Sequence, residues 1–118
     1  MKNHMNWYGW RSPDEKTNAI MNAGDHWCNI PLYKEEVNHA SEFNWGYNGS
    51  GPAQLAYSIL RTYFELVYGF SSVEAKFQAE KYHQAFKNVF VMFWNNSEWQ
   101  ITDTKIDIWL SDVKAGRK

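Results

Sequence analysis

Residues 43–68 read FNWGYNGSGPAQLAYSILRTYFELVY, and the fold turns on this stretch. Two aromatics bracket a glycine, a Gly-Ser-Gly follows, and Pro52 opens an apolar run. Ala53, Leu55, Ala56, Ile59, Leu60, Tyr63, Phe64 and Val67 recur at spacings of three and four, the period of a helix face. Proline at the first helical position forfeits no hydrogen bond, because that N–H has no intrahelical partner. Gly51 is the expected N-cap, with Ser50 assisting. From Ala53 to Tyr68 the only charges are Arg61 and Glu65, so this helix is expected to be central and buried. Gly69 stops it where a left-handed residue is favoured.

Downstream, Ser71-Ser72-Val73-Glu74 has the form of a capping box. It predicts a second helix over 72–93, with Val73, Phe77, Phe86, Val89, Phe90 and Phe93 as its apolar stripe and Lys76, Glu80, Lys81, Gln84 and Lys87 mostly opposite. NNSEW breaks that helix, residues 98–101 read as a short extended piece, and Thr102 or Asp103 caps a third helix with Ile106, Trp109, Leu110 and Val113 inward. Upstream, residues 5–11, 17–22 and 26–32 read as short strands separated by the turns SPDEK and AGD, with Pro31 marking an edge or an end. Residues 34–42 are polar and read as loop. The expected fold class is α+β: a short N-terminal antiparallel β-sheet packed on three α-helices. It forms a single domain over 1–118, with a strand- and turn-rich part at 1–42, the motif and helices at 43–115, and a tail at 116–118.

A chain of 118 residues suits one domain that folds without staples. Aromatics are 18% of it, a composition opposed to disorder and heavy enough to leave some rings for a partner. Net charge is −1, which argues against general nucleic-acid binding and against a polybasic membrane surface. Lys76, Lys81 and Lys87 could still form a local basic patch. Cys28 is the only cysteine, so an internal disulfide and a Cys-rich zinc site are excluded. The N-terminus lacks the apolar stretch of a signal peptide, so the expected location is cytoplasmic, and the sequons at Asn48 and Asn95 carry no glycan meaning.

The motif resembles that of a family of small prokaryotic and phage proteins known only as a domain of unknown function. Phe43, Trp45, Gly46, Tyr47, Gly49, Ser50, Gly51, Pro52, Ala53, Gln54, Leu55 and Ala56 fit its pattern. Tyr82, Phe86 and Lys87 resemble its Tyr-x-x-Phe-Lys helix, and Trp99, Ile101, Thr102, Ile106, Trp109 and Leu110 its closing segment. The resemblance spans roughly the C-terminal two-thirds and is loose over the first 35 or so residues. It implies one small α+β domain and no activity.

Several constellations invite a functional reading. Backbone N–H groups around Gly49, Ser50 and Gly51 stand at a helix N-terminus, a setting that suits an anion, and Trp45 and Tyr47 could stack on a ring. The pattern is neither a Walker loop nor a dinucleotide fingerprint, so a tight structural turn is the first reading and ligand binding the second. Gln54 holds either the loop backbone or that ligand, with the structural use favoured. Asp25, His26, Cys28 and His39 lack a second ligand pair and do not make a zinc pattern. Ser50 with His83 does not match a nucleophile elbow, and Asp103 with Asp107 suits a helix dipole. Trp7, Tyr8 and Trp10, with Trp27, form an aromatic strip that suits a protein contact, although a second layer packed on the helices is the favoured account of that strip.

These features point to a non-enzymatic binding protein with a protein partner, without metal or cofactor. The phage relatives suggest an inhibitor of a host system, such as an anti-CRISPR or other anti-defence protein. The alternative is a small-ligand module holding a nucleotide or other anion at the Gly-Ser-Gly turn. Near-zero charge with many apolar side chains leaves room for a homodimer.

Overall fold

The computed structural model describes residues 4–116. Four antiparallel strands, β1 (Met5–Arg11), β2 (Thr17–Ala23), β3 (His26–Asn29) and β4 (Glu98–Thr102), form one sheet in the order β3-β2-β1-β4. Three helices, α1 (Ser50–Thr62), α2 (Ser72–Val89) and α3 (Asp103–Lys114), complete the α+β fold expected from the sequence. Among the described residues no helix is long and apolar enough to cross a membrane.

Strand alternation decides which side chains meet the helices. On β1, Met5 and Trp7 point inward, and the two cross-strand partners of Trp7, Met21 on β2 and Ile101 on β4, are buried with it. The β2–β3 hairpin closes over Gly24 and Asp25, where Gly24 takes φ +63°, a value that a residue without Cβ adopts at no steric cost. β3 stops at Asn29 rather than at residue 32. Ile30 still donates to the Ala19 carbonyl at 3.1 Å, but Pro31 has no N–H to carry the ladder on. The extended piece after α2 is a full sheet member, so β1 lies inside the sheet between β2 and β4.

α1 is the hub, and every residue from Gly51 to Thr62 is buried. It begins two residues before the expected position: Gly49 is the N-cap, its carbonyl accepts from Ala53 N at 3.1 Å, and Pro52 sits within the first turn, still where an N–H has no partner. After Thr62 the helix widens into one π-turn at Tyr63–Val67 and ends at Gly69, φ +77°, with Phe70 N donating to Phe64 O at 3.1 Å. Trp7 ties the sheet to it: the indole Nε1 donates to Thr62 Oγ1 at 2.9 Å, and the ring lies 6.3 Å from that of Tyr63.

The inward face of α2 differs from the expected stripe. Ala75, Ala79, Tyr82, His83 and Phe86 are buried, whereas Val73, Phe77, Val89 and Phe93 are exposed. Alanines at 75 and 79 let α2 approach α1 closely, and that close packing turns the larger side chains at 73 and 77 outward. α2 also ends at Val89 and gives way to a 3₁₀ turn at Val91–Phe93, whose Val91 carbonyl accepts from Gly46 N at 3.0 Å. The N-cap half of the capping box forms, with Ser71 Oγ accepting from Glu74 N, and Thr102 Oγ1 caps α3 by accepting from Lys105 N at 3.1 Å.

Candidate functional site

The Gly-Ser-Gly motif is shaped by close approach. A Cβ on Gly51 would stand 2.5 Å from that of Asn44, and one on Gly49 would stand 2.5 Å from the Tyr47 ring. Tyr47 therefore lies across the glycines, half exposed, while Trp45 is enclosed. The Trp45 indole Nε1 donates to Asn96 O at 3.2 Å, its ring meets Trp99 edge-on, and the Arg11 guanidinium sits 4.7 Å above it. Tyr47, Ser50 and Gly51 line a shallow hollow of about 380 Å³. Glu42 lines it too, and its carboxylate opposes an anion.

Gln54 is 0% exposed and spends its whole amide on the preceding loop. Nε2 donates to Leu32 O and Val37 O, both at 2.7 Å, and Oε1 accepts from His39 N at 2.7 Å and Ala40 N at 3.2 Å. The same loop brings Glu36 to Tyr57 Oη at 2.7 Å and to Arg61 Nε at 2.8 Å. Arg61 also pairs with Glu65, and the Tyr33 ring stacks on it at 4.8 Å. Burial alone would push the Glu36 carboxyl up, but bonds from Arg61 and Tyr57 outweigh it and hold the group below its ordinary value. Burial, reinforced by the Glu36 bond, pushes the Tyr57 phenol far up. A guanidinium so satisfied has no fork left for a substrate anion.

The remaining sequence candidates are dispersed. His26 and Cys28 stand exposed on β3, whereas His39 Nε2 meets His83 Nε2 at 3.0 Å and His83 Nδ1 lies 3.1 Å from Ala79 O. Burial lowers the His83 pKa, and the neighbouring His39 lowers it further. Asp103 pairs with His4 at 2.9 Å, and Asp107 accepts from Tyr63. Among the described residues, no three His, Cys, Asp or Glu side chains are grouped so that they could hold a cation.

The aromatic strip divides by alternation. Trp7 is 0% exposed in the core, as packing on the helices requires, and so offers no surface for the partner contact considered for Trp7, Tyr8 and Trp10. Tyr8 and Trp10 point to the other side of the sheet, away from α1. There they join Ile20 of β2 and Trp27 of β3 around a hollow of about 570 Å³. The Tyr8 and Trp27 rings lie 5.4 Å apart, and Trp10 and Trp27 are 40% and 56% exposed. Gly9 and Trp99 also line it, and so do Glu98 and Gln100 of β4, opposite Trp10 and Tyr8 respectively. The alternation Glu98-Trp99-Gln100-Ile101 was the signal for these two, readable once the segment is known to be a paired strand.

Comparison with curated proteins and with solved structures finds no match. A family model does match, over residues 8–112, which takes in both the motif and the open sheet face. The chain belongs to the family of unknown function DUF6166.

Proposed function

We propose that this chain is a non-enzymatic binding protein that contacts a protein partner through the open face of its sheet. The observation that carries the reading is the cluster of Tyr8, Trp10 and Trp27 around a hollow on a face that, among the described residues, no helix covers. Exposed Trp and Tyr at the centre of an apolar patch are the side chains that dominate protein–protein affinity. The narrower form of the proposal is an inhibitor of a host system, such as an anti-defence protein, acting by covering a surface that its target needs. The alternative, a nucleotide or other anion at the Gly-Ser-Gly turn, has less support, because Glu42 lines that hollow and Trp45 and Gln54 are enclosed.

Site-directed photo-crosslinking tests the main reading. A photoreactive side chain at position 10 should capture a partner that the same group at exposed position 77 of α2 does not. With that partner purified, Tyr8→Ala and Trp27→Ala should each weaken binding by about tenfold or more, and Phe77→Ala should not. A partner bound equally well by all three variants refutes the reading. For the inhibitor form, the partner's own activity should fall with stoichiometric addition of the protein.

A further inference from the structure

We infer that the hollow on the open sheet face is a seat for an arginine side chain presented by the protein partner, an inference that rests on the contact surface proposed above. Three rings, Tyr8, Trp10 and Trp27, and the side chain of Ile20 give the hollow apolar walls. Besides the Tyr8 hydroxyl and the indole N–H groups, its polar side chains are a carboxylate, Glu98, and an amide, Gln100, and among the described residues no lysine or arginine lines it. The β1–β4 register sets Glu98 directly across from Trp10 and Gln100 directly across from Tyr8, so each acceptor stands beside a ring. A guanidinium matches this combination. It is planar and weakly hydrated, it stacks on aromatic faces, and its fork of N–H donors pairs with a carboxylate.

The molecule uses the same chemistry elsewhere with its own arginines in place. Arg61 stacks on Tyr33 at 4.8 Å and donates to the Glu36 carboxylate. Arg11 stacks on Trp45 at 4.7 Å and donates to Asn44 Oδ1 at 2.7 Å and Asn96 O at 2.8 Å. On the open face the rings and the acceptors recur, and neither of these arginines reaches them: Arg61 is buried on α1 and Arg11 is engaged by the loops at the end of β1. The charge of the hollow also selects among occupants. A nucleic-acid strand would bring phosphates to a hollow whose one ionised side chain among the described residues is an acid, Glu98, against the electrostatics that strand binding needs.

The test follows the indole N–H signals of Trp10 and Trp27 by NMR, assigned with Trp10→Phe and Trp27→Phe. The probe is an acetylated Gly-Arg-Gly-Arg-Gly peptide, with citrulline and lysine versions as controls. The arginine peptide should shift both indoles and leave those of the enclosed Trp7 and Trp45 in place. Citrulline, which lacks the charge, should bind about tenfold more weakly, and Glu98→Gln should weaken the arginine peptide by a similar factor. Lysine should fall between them. Absence of shifts, equal shifts with citrulline, or stronger shifts with a neutral oligosaccharide or an oligothymidylate would overturn the inference. With a purified protein partner, loss of binding in Trp27→Ala but not in Glu98→Gln would leave the contact surface standing and remove the arginine seat. Indifference to both would remove both.

Discussion

Replacing Gln54 with methionine keeps the length and the apolar stem of the side chain and deletes every polar atom of its amide. The wild-type amide makes four hydrogen bonds to loop backbone, three of them at 2.7 Å and one at 3.2 Å. Its orientation is set by the partners, with two carbonyls on the nitrogen side and two N–H groups on the oxygen side. At about 1 kcal/mol net per bond, and more wherever a backbone group stays dry after the deletion, the expected loss is about 3–5 kcal/mol. That is a large share of the roughly 5–15 kcal/mol by which a domain is stable. Gln54→Glu keeps the acceptor and loses both donors, aiming a carboxylate at two carbonyl oxygens. It should cost a comparable amount at neutral pH, and the deficit should shrink on acidification, because a protonated carboxyl can donate one of the bonds. Urea unfolding followed by tryptophan fluorescence measures both, and hydrogen exchange at His39 and Ala40 reports the loop directly. A Gln54→Met variant within about 1 kcal/mol of wild type, with protection at those two amides unchanged, would refute the account of Gln54 as the pin of this loop.

Gly9→Ala should destabilise by about 1–3 kcal/mol, since the new Cβ would stand 2.2 Å from Nε1 of the Trp99 ring; thermal unfolding reads it, and an unchanged midpoint would contradict the packing described. Thr62→Val should cost about 1–3 kcal/mol by leaving the buried Trp7 indole without its acceptor, measured as a urea midpoint. Lowering the pH should remove stability through His83. Its folded pKa lies below the ordinary 6.5, so the unfolded chain binds the extra proton first, and the contribution is complete above 6.5 and lost as pH falls through the folded value. His39 and the Glu80 carboxylate share that environment, so the urea midpoint of His83→Gln, compared with wild type between pH 7.5 and about 5, should fall less steeply if His83 carries the effect.

Much of the fold was legible because its elements announce themselves locally. The apolar period from Ala53 to Val67, Gly69 behind it and the capping box at Ser71 place α1 and the start of α2 from sequence alone. What escaped was set by distant neighbours. Large side chains at Val73 and Phe77 look like a core stripe, yet Ala75 and Ala79 face inward, because the spacing between two packed helices is decided by the smaller residues. The alternation of residues 98–102 is visible, but nothing local says that its partner is β1. The candidate surface shows both sides of this. Strand alternation over residues 5–11 already separates Trp7 from Tyr8 and Trp10, whereas Trp27, Glu98 and Gln100 join them only through sheet order. Likewise, that Gln54 holds a loop is readable from its place in an apolar helix, but the four groups it binds are not.

The position of β1 between β2 and β4 has a consequence for synthesis. Trp7 leaves the ribosome before α1 and α2, and its β4 neighbour Ile101 is translated after them. Until then β1 has one paired edge and one bare edge, with an inward row of Met5 and Trp7 only partly roofed. A nascent chain stalled before Glu98 should hold α1, α2 and the β1–β2–β3 hairpins yet display an open strand edge, the kind of template that recruits chaperones or pairs with other chains. Closure of the sheet thus waits for β4, the strand made after α1 and α2, and β1 gains its second neighbour in one late step rather than by gradual accretion.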